Sequence, residues 1–469
     1  MRERLVLLAA ALAAFGASLG SGFHFDDYAI FSDRAITSPR GWMEIWSLSQ
    51  TRPLTYLTFW LNYRLGGRHA IGYHALNLAL HLAAVLLLYE CLRRLAAGRA
   101  AWIAAALFAV HPVQAESVDY IWGRSIVLAA VFCFAALLAW TQERPWLAVV
   151  FFGLALLAKE ECAAFPLALW LLSKAPVRWR PLAAMAGLAG LAAARVFYAL
   201  AVIPGAPAGA QAGITPWHYF LAQGVVIWRY LRLLVAPYGL TIDPDIQVPA
   251  IWLGLAAWAG IGVAAWLTRR WRWFLVGLVL LIPSSTIFPA ADLAADRRLY
   301  LPMLGLGMAM ALLLQRSRPV AGAAIVLLAA VSMARTAVWN NDAALWREAM
   351  ERAPDKVRPL VQLSRDVAPN EALRLLGEAR ALAPNDAAIA AETGKVLLAE
   401  GKPAQALAEF GRALALDPRQ AENYNNRGVA LAALGQTEAA RADFARAVRM
   451  DPGLAAAREN LEKLLPERR

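Results

Sequence analysis

The chain has 469 residues, of which 60% are hydrophobic and 17% charged, and its mean hydropathy is +0.47. A soluble globule is nearer half apolar with about a quarter charged, so these totals exclude an ordinary soluble enzyme and indicate an integral membrane protein. The net charge of +12 would suit a nucleic-acid binder, but much of the basic charge sits in short loops between apolar spans, which reads as membrane topology and contact with anionic lipid.

Apolar spans fall near residues 5–22, 71–90, 100–111, 124–141, 146–158, 162–173, 182–200, 251–268, 273–290, 299–315 and 319–338, about eleven in all, several below the usual ~20 residues. The first follows Arg2 and Arg4 and reads as an uncleaved anchor rather than a signal peptide, because more spans follow and Asp27 comes directly after it. His24-Phe25-Asp26-Asp27-Tyr28 then places two carboxylates side by side at the membrane edge. Adjacent carboxylates repel and are costly near lipid. The readings are a functional acidic pair or a helix cap with a solvated neighbour.

His74, Asn77 and His81 line one face of the second span. The two histidines stand two turns apart, about 10 Å, too far to share a metal ion without a third element. Interhelical hydrogen bonding is the leading reading, with a cavity-lining role for His74 second. The remaining charges cluster at span ends: Glu116 and Arg124 flanking the turn after His111-Pro112-Val113, Lys159-Glu160-Glu161, Asp243 and Asp245, and Asp296-Arg297-Arg298-Leu299-Tyr300-Leu301-Pro302. Ionisable groups at such depths are functional candidates. A guanidinium at Arg297 or Arg298 suits bidentate recognition of a lipid phosphate; the plainer readings are an Arg297–Asp296 ion pair and an interface anchor at Arg298. Most tryptophans read as interface anchors.

Arginine and lysine set the orientation. Arg2/Arg4, Arg93/Arg94/Arg99, Arg144, Lys174/Arg178/Arg180, Arg269/Arg270/Arg272 and Arg316/Arg318 mark alternate loops as cytoplasmic. To keep that parity, the run from Trp146 to Leu172 must break at Lys159-Glu160-Glu161 into two short helices. Trp217 to Ala236 must lie on the outer surface as an amphipathic or re-entrant helix carrying Arg229 and Arg232. The N-terminus is then cytoplasmic, and the C-terminal region shares the outer side with Asp26 and Asp27. Cys91, Cys133 and Cys162 lie in or beside spans, so neither structural disulfides nor a cysteine metal cluster is expected. There is no Walker loop, dinucleotide fingerprint or zinc spacing, and nothing requires a cofactor or a metal.

Residues 1–340 form the membrane part and 341–469 a soluble part with an internal repeat. Pro384, Pro418 and Pro452 are 34 residues apart, as are Gly394 and Gly428, Ala406 and Ala440, Phe410 and Phe444, and Ala413 and Ala447. That period and those residue types are the tetratricopeptide pattern. A degenerate unit with Ala372, Leu376 and Ala379 precedes the two clear ones, and residues 454–465 form a capping helix. The expected architecture is therefore all-α, a polytopic bundle followed by an α-solenoid of about three units.

The order of His24-Phe25-Asp26-Asp27, Tyr73-His74-Ala75-Leu76-Asn77-Leu78 with His81, His111-Pro112-Val113 with Glu116 and Gly123-Arg124, Lys159-Glu160, Arg297-Arg298-Leu299-Tyr300-Leu301-Pro302 and Trp339 resembles the transmembrane and tetratricopeptide repeat-containing O-mannosyltransferases and their bacterial relatives, within the GT-C superfamily. The resemblance implies a GT-C-like bundle and a sugar delivered on a polyprenyl phosphate at the outer leaflet. It implies Asp27 or Asp26 as the base that deprotonates an acceptor hydroxyl, and Arg297, ahead of Arg298, as the ligand of the departing phosphate. Glu116, Arg124, Lys159, Glu160 and His74 line that site. Arg298 stands where relatives usually carry an apolar residue, and the repeat array is shorter than in the eukaryotic enzymes. The implied partners are the lipid-linked donor, a protein or peptide acceptor held by the repeats, and the bilayer, the inner membrane if the source is bacterial. The competing functions are a membrane-anchored scaffold for envelope proteins and an undecaprenyl-linked glycan ligase or polymerase. A transporter is disfavoured because the charges gather on one side.

Overall fold

The structure is a computed structural model that describes residues 1–96, 98–173, 177–202, 213–268, 272–286, 288–290 and 292–464. Lys174, Arg269, Arg270, Leu465 and most of the 201–216 linker lie outside the described residues. Every regular element among the described residues is helical. They divide into two compact units, Met1–Asn341 and one that begins at Asp342.

In the first unit five helices are long and apolar enough to cross a bilayer: Arg2–Gly20, Ala70–Leu95, Ile121–Thr141, Trp179–Val202 and Arg318–Trp339. Shorter apolar helices, Ala100–Val110, Pro145–Ala158, Ile251–Leu267, Arg272–Leu281 and Met303–Leu314, complete the bundle. The apolar surface faces outward as well as inward. Leu191, Trp252 and Val326 are 69%, 72% and 71% exposed, an arrangement that water penalises and lipid does not. This is a membrane protein.

Helix Ala70–Leu95 shows how sequence sets the interior. His74, Asn77, His81, Leu88 and Cys91 are buried at helical spacing. Its polar groups bond outward to neighbours, as lipid-embedded polar groups must. His74 Nε2 meets the Gly22 carbonyl at 2.9 Å, and His81 Nδ1 meets the Tyr300 hydroxyl at 2.8 Å. At the far end Glu90 pairs with Arg4 at 2.7 Å and Tyr89 bonds Glu3. The start of the first helix therefore lies beside the Arg93/Arg94 end of this one, and the segment after it, residues 22–28, at the opposite end. The break at Lys159 is also present. Helix Pro145–Ala158 stops there, a 3-10 turn spans Glu160–Ala164, and Phe165–Leu172 runs back. Ser173 then accepts the Trp140 indole at 3.0 Å, and Arg178 pairs with Glu143.

The segment between the first two spans folds as short helices, Phe25–Tyr28, Ala29–Ser32, Arg34–Thr37 and Gly41–Glu44, before Pro53–Gly66, which opens on a proline as helices favour. It is held by an aromatic cluster of Phe23, Phe31, Phe59, Tyr63, Tyr73 and Trp122 with Ile30, Ile36 and Ile121.

The second unit is a stack of antiparallel helix pairs, from Asp342–Arg352 to Ala455–Lys463. A Cβ at Gly394 would stand 2.7 Å from the Phe410 ring, and one at Gly428 2.6 Å from Phe444. The repeating glycine is thus the seat of the repeating phenylalanine within one unit. The same clusters reach Ala430 and Leu461 of the following helices, so each ring seals its own pair as well as the next. Helices Pro369–Leu382, Pro403–Leu416 and Thr437–Met450 each end two residues before Pro384, Pro418 and Pro452, because the residue before proline is pushed out of the helical region.

Candidate functional site

The two aspartates have opposite surroundings. Asp27 is fully buried. Its Oδ2 accepts from the His24 backbone N–H at 3.0 Å and its Oδ1 from the Trp122 N–H at 2.8 Å. It is the capping residue of its own 3-10 turn and the clasp between the 24–28 loop and the 111–124 turn. Burial raises its carboxyl to about 7 in spite of those two donors. Asp26 is exposed, and its backbone N–H donates to the Tyr120 hydroxyl at 3.2 Å. Phe25, just before it, has φ +43°, strained for an aromatic residue and typical of loops whose geometry serves something other than stability. Tyr120 stacks on Trp339, ring centroids 5.7 Å apart, and His24 meets the same indole edge-on at 5.8 Å.

Tyr120 also links the aspartates to the basic loop. Burial lifts its phenol well above the usual value, the Asp27 and Asp26 carboxylates add to the lift, and Arg297 opposes it. Arg297 does not pair with Asp296. Its guanidinium pairs with Glu116, whose Oε2 also accepts the Arg297 backbone N–H at 2.9 Å. Asp296 pairs instead with Arg229 of helix Pro216–Val235. That helix thereby fastens the 292–298 loop, aided by the Tyr230 hydroxyl donating to the Ala295 carbonyl at 3.0 Å. Glu116 is itself 5% exposed; burial pushes its carboxyl up while Arg297 pulls it down.

Arg298 is 8% exposed and donates to the carbonyls of Leu293 and Asp292 at 3.0 and 2.8 Å, with the Tyr219 hydroxyl at 3.4 Å. It lines a narrow cleft with Lys159, Glu161 and Ser284, walled by Ile126 and Leu301 among others. Lys159 meets Glu161 at 3.3 Å. Two cations thus face one carboxylate between apolar walls, leaving the cleft net positive. Burial drops the Lys159 ammonium to about 8. Glu160 turns the other way and takes a two-point ion pair from Arg52, 3.0 and 2.6 Å, which holds it down at about 2 against its own burial.

Two expected lining residues are buried and bonded within the bundle. Arg124 is fully buried and its donors are spent inside the bundle: on Asn77 Oδ1 at 2.7 Å, Asn62 Oδ1 at 2.6 Å, Thr58 Oγ1 at 3.3 Å and the Tyr73 carbonyl at 2.9 Å, with its guanidinium 4.5 Å from the Phe59 ring centroid. It staples three helices together. The preceding Gly123 is needed because a Cβ there would stand 2.8 Å from the Glu116 and Ser117 carbonyls. His74 is likewise buried and bonded to Gly22. Among the described residues, no group of three histidines, cysteines, aspartates or glutamates is placed to hold a metal ion.

Sequence reasoning missed Arg52, Tyr120 and the partners of Glu116 and Asp296. Arg52 carried a signal: a cation just before a helix begun by Pro53 opposes the helix dipole and needs an acidic partner. In the second unit a groove is lined by Asp386, Glu392, Lys395, Asp417, Gln420 and Glu422.

Fold and composition together define a polytopic helical membrane protein that carries tetratricopeptide repeats. A family profile described as tetratricopeptide repeat matches residues 391–455. The chain is similar to the protein O-mannosyl-transferase F38B6.6 of Caenorhabditis elegans, 32% identical over 162 residues, 31% of this chain and 24% of that one. It is also similar to the protein O-mannosyl-transferases TMTC3 of Mus musculus and TMTC4 of Homo sapiens. Both are 32% identical over 30% of this chain, and the matches cover 17% and 23% of their own lengths. The aligned segments thus span less than a quarter of these relatives. Solved structures with similar geometry include MamA, at 19% identity over 26% of this chain and 74% of that chain, TM-score 0.24. Another is the thermophilic tetratricopeptide protein TTC0263 of Thermus thermophilus, at 17% over 44% and 95%, TM-score 0.25.

Proposed function

We propose that this chain is a membrane glycosyltransferase. It moves a sugar, mannose by similarity to the named relatives, from a polyprenyl-phosphate carrier to the hydroxyl of an extracytoplasmic acceptor, most simply a protein. The observation that carries this reading is an apolar-walled cleft that holds Lys159 and Arg298, together with a loop that anchors one aspartate and exposes the next. A polyprenyl phosphate needs both kinds of surface at once, hydrocarbon for its chain and cations for its headgroup.

In this reading Asp26 is the base, because its carboxylate is the one at the surface, and Asp27 positions the loop. The acceptor oxygen attacks the anomeric carbon and forms the new C–O bond. The anomeric carbon–phosphate oxygen bond breaks with its electron pair leaving on the phosphate, and the hydroxyl proton passes to Asp26. Arg298 and Lys159 hold the phosphate as its charge grows. Arg297, fixed by Glu116 at both backbone and side chain and 28% exposed, is the second phosphate ligand, on the Tyr120 side. The donor phosphate takes the place of Glu161 beside Lys159, which opens the narrow cleft. The N-terminus is cytoplasmic, and the repeats lie outside, on the side of the aspartates, where their groove holds the acceptor polypeptide. The arginine-rich span ends and the meeting of Arg4 with Glu90 beside Arg93 support that orientation.

The test is transfer of labelled mannose from purified polyprenyl-phosphate mannose to peptides by the full chain in nanodiscs. Release of polyprenyl phosphate with a labelled peptide is expected. Absence of turnover with every polyprenyl-phosphate hexose, while the chain captures envelope proteins through its repeats, would replace this reading with the scaffold.

A further inference from the structure

A second cleft is lined by Gln50, Thr51, Arg52, Tyr56, Trp122 and Ser125, among others, and its Arg52 is the partner of Glu160. Its volume is about 120 Å³, several times the ~10–15 Å³ that one water needs. Its chemistry differs from that of the cation cleft. Trp122 stacks on Phe59 with centroids 5.5 Å apart and planes within 16°, and Tyr56 meets Trp122 edge-on at 6.1 Å, which gives a rigid aromatic wall. Around it stand amide, hydroxyl and guanidinium groups suited to hydroxyl-rich ligands.

The two clefts are lined by neighbours in the chain. Ser125 faces one and Ile126 the other; Arg52 of one is held by Glu160, next to Lys159 of the other. Thr55, also at the second cleft, donates to the Ala158 carbonyl at 2.9 Å, which ties the two linings together. Trp122 in turn donates its backbone N–H to Asp27, so the aromatic wall and the aspartate loop are built as one piece.

We propose that this cleft is the subsite for the sugar ring of the donor. The apolar ring face lies on the Trp122–Tyr56 wall, and its hydroxyls are read by Gln50, Ser125 and Arg52. The proposal rests on the glycosyltransferase reading and adds the part of the donor that the cation cleft does not address. A monosaccharide fits because the cleft is small, polar on one side and aromatic on the other.

The experiment measures Kd of the full chain in nanodiscs for polyprenyl phosphate and for polyprenyl-phosphate mannose, with wild type, Gln50→Leu and Ser125→Ala. The second variant removes one hydroxyl and leaves the aromatic wall intact. Wild type is expected to bind the sugar-bearing lipid more tightly. Each variant should weaken that binding by about tenfold, the worth of one good hydrogen bond, and leave the bare phosphate lipid unchanged. Equal Kd values for the two lipids in wild type, or variants that weaken both alike, would overturn the subsite while leaving the phosphate site standing. A wild type that binds neither lipid overturns both. Unchanged donor binding with a raised KM for the acceptor peptide would assign the cleft to the acceptor and also overturn the proposal.

Discussion

The two units solve the placement of charge in opposite ways. In the repeat unit the bidentate pairs are local: Arg427–Asp443 is separated by 16 residues and Arg380–Glu409 by 29. The first ties consecutive helices and the second ties Pro369–Leu382 to Pro403–Leu416, one helix further on, each on a partly solvated surface where loss of one pair is tolerated. In the membrane unit Arg229–Asp296, Arg52–Glu160 and Glu116–Arg297 span 67, 108 and 181 residues, and the carboxylates of Glu116 and Asp296 are nearly inaccessible. Such pairs contribute little net stability over an apolar substitute but are severe to break, because the survivor is a stranded charge. Charge in the repeats fine-tunes a stack; charge in the bundle fixes which loops meet.

Several perturbations would sharpen or break that contrast. The largest effect is expected at Asp26. D26N should lower kcat for sugar transfer by ~10²–10⁴, the usual worth of a general base, with donor Kd unchanged; a modest loss would move the base elsewhere. D27N should lower the midpoint of thermal unfolding as well as activity, since it disturbs the two backbone donors that close the loop. Next, E116A should destabilise the detergent-solubilised chain by about 3 kcal/mol through the stranded Arg297, whereas E409A in the repeats should cost about 1 kcal/mol or less. Equal losses in unfolding midpoint would dissolve the contrast. G428A drives a Cβ into the Phe444 ring and should cost ~1–3 kcal/mol by overpacking, without altering donor binding. The smallest effect concerns pH. Lys159 must be protonated to hold a phosphate, and its value of about 8 means that charge is lost as pH rises through that range. Affinity for polyprenyl phosphate should therefore fall by up to about tenfold between pH 7 and 9, and K159R should flatten the profile.

The same contrast explains what could be read without coordinates. The repeat period and the recurrence of its glycines, phenylalanines and prolines were legible because each unit is specified within 34 residues of sequence. The break at Lys159, the buried face carrying His74, Asn77 and His81, and the choice of the charges at 116, 159 and 297 as candidates were legible because charge in an apolar run demands an explanation. The pairing of those charges was not, since nothing local tells Glu116 that its partner is 181 residues away rather than at Asp296. Arg124 shows the reverse error. A guanidinium at a span end reads as a site residue, yet here two asparagines, a threonine, a carbonyl and an aromatic face absorb it completely.

The proposed donor site is a hydrocarbon-walled slot in which Lys159 and Arg298 would grip a polyprenyl phosphate. Titrating the full chain in nanodiscs with polyprenyl phosphate tests it most directly, comparing wild type with the K159M/R298M double variant and with D26N. Saturable binding by wild type and D26N that the double variant has lost is the predicted result; binding that survives removal of both cations would contradict it.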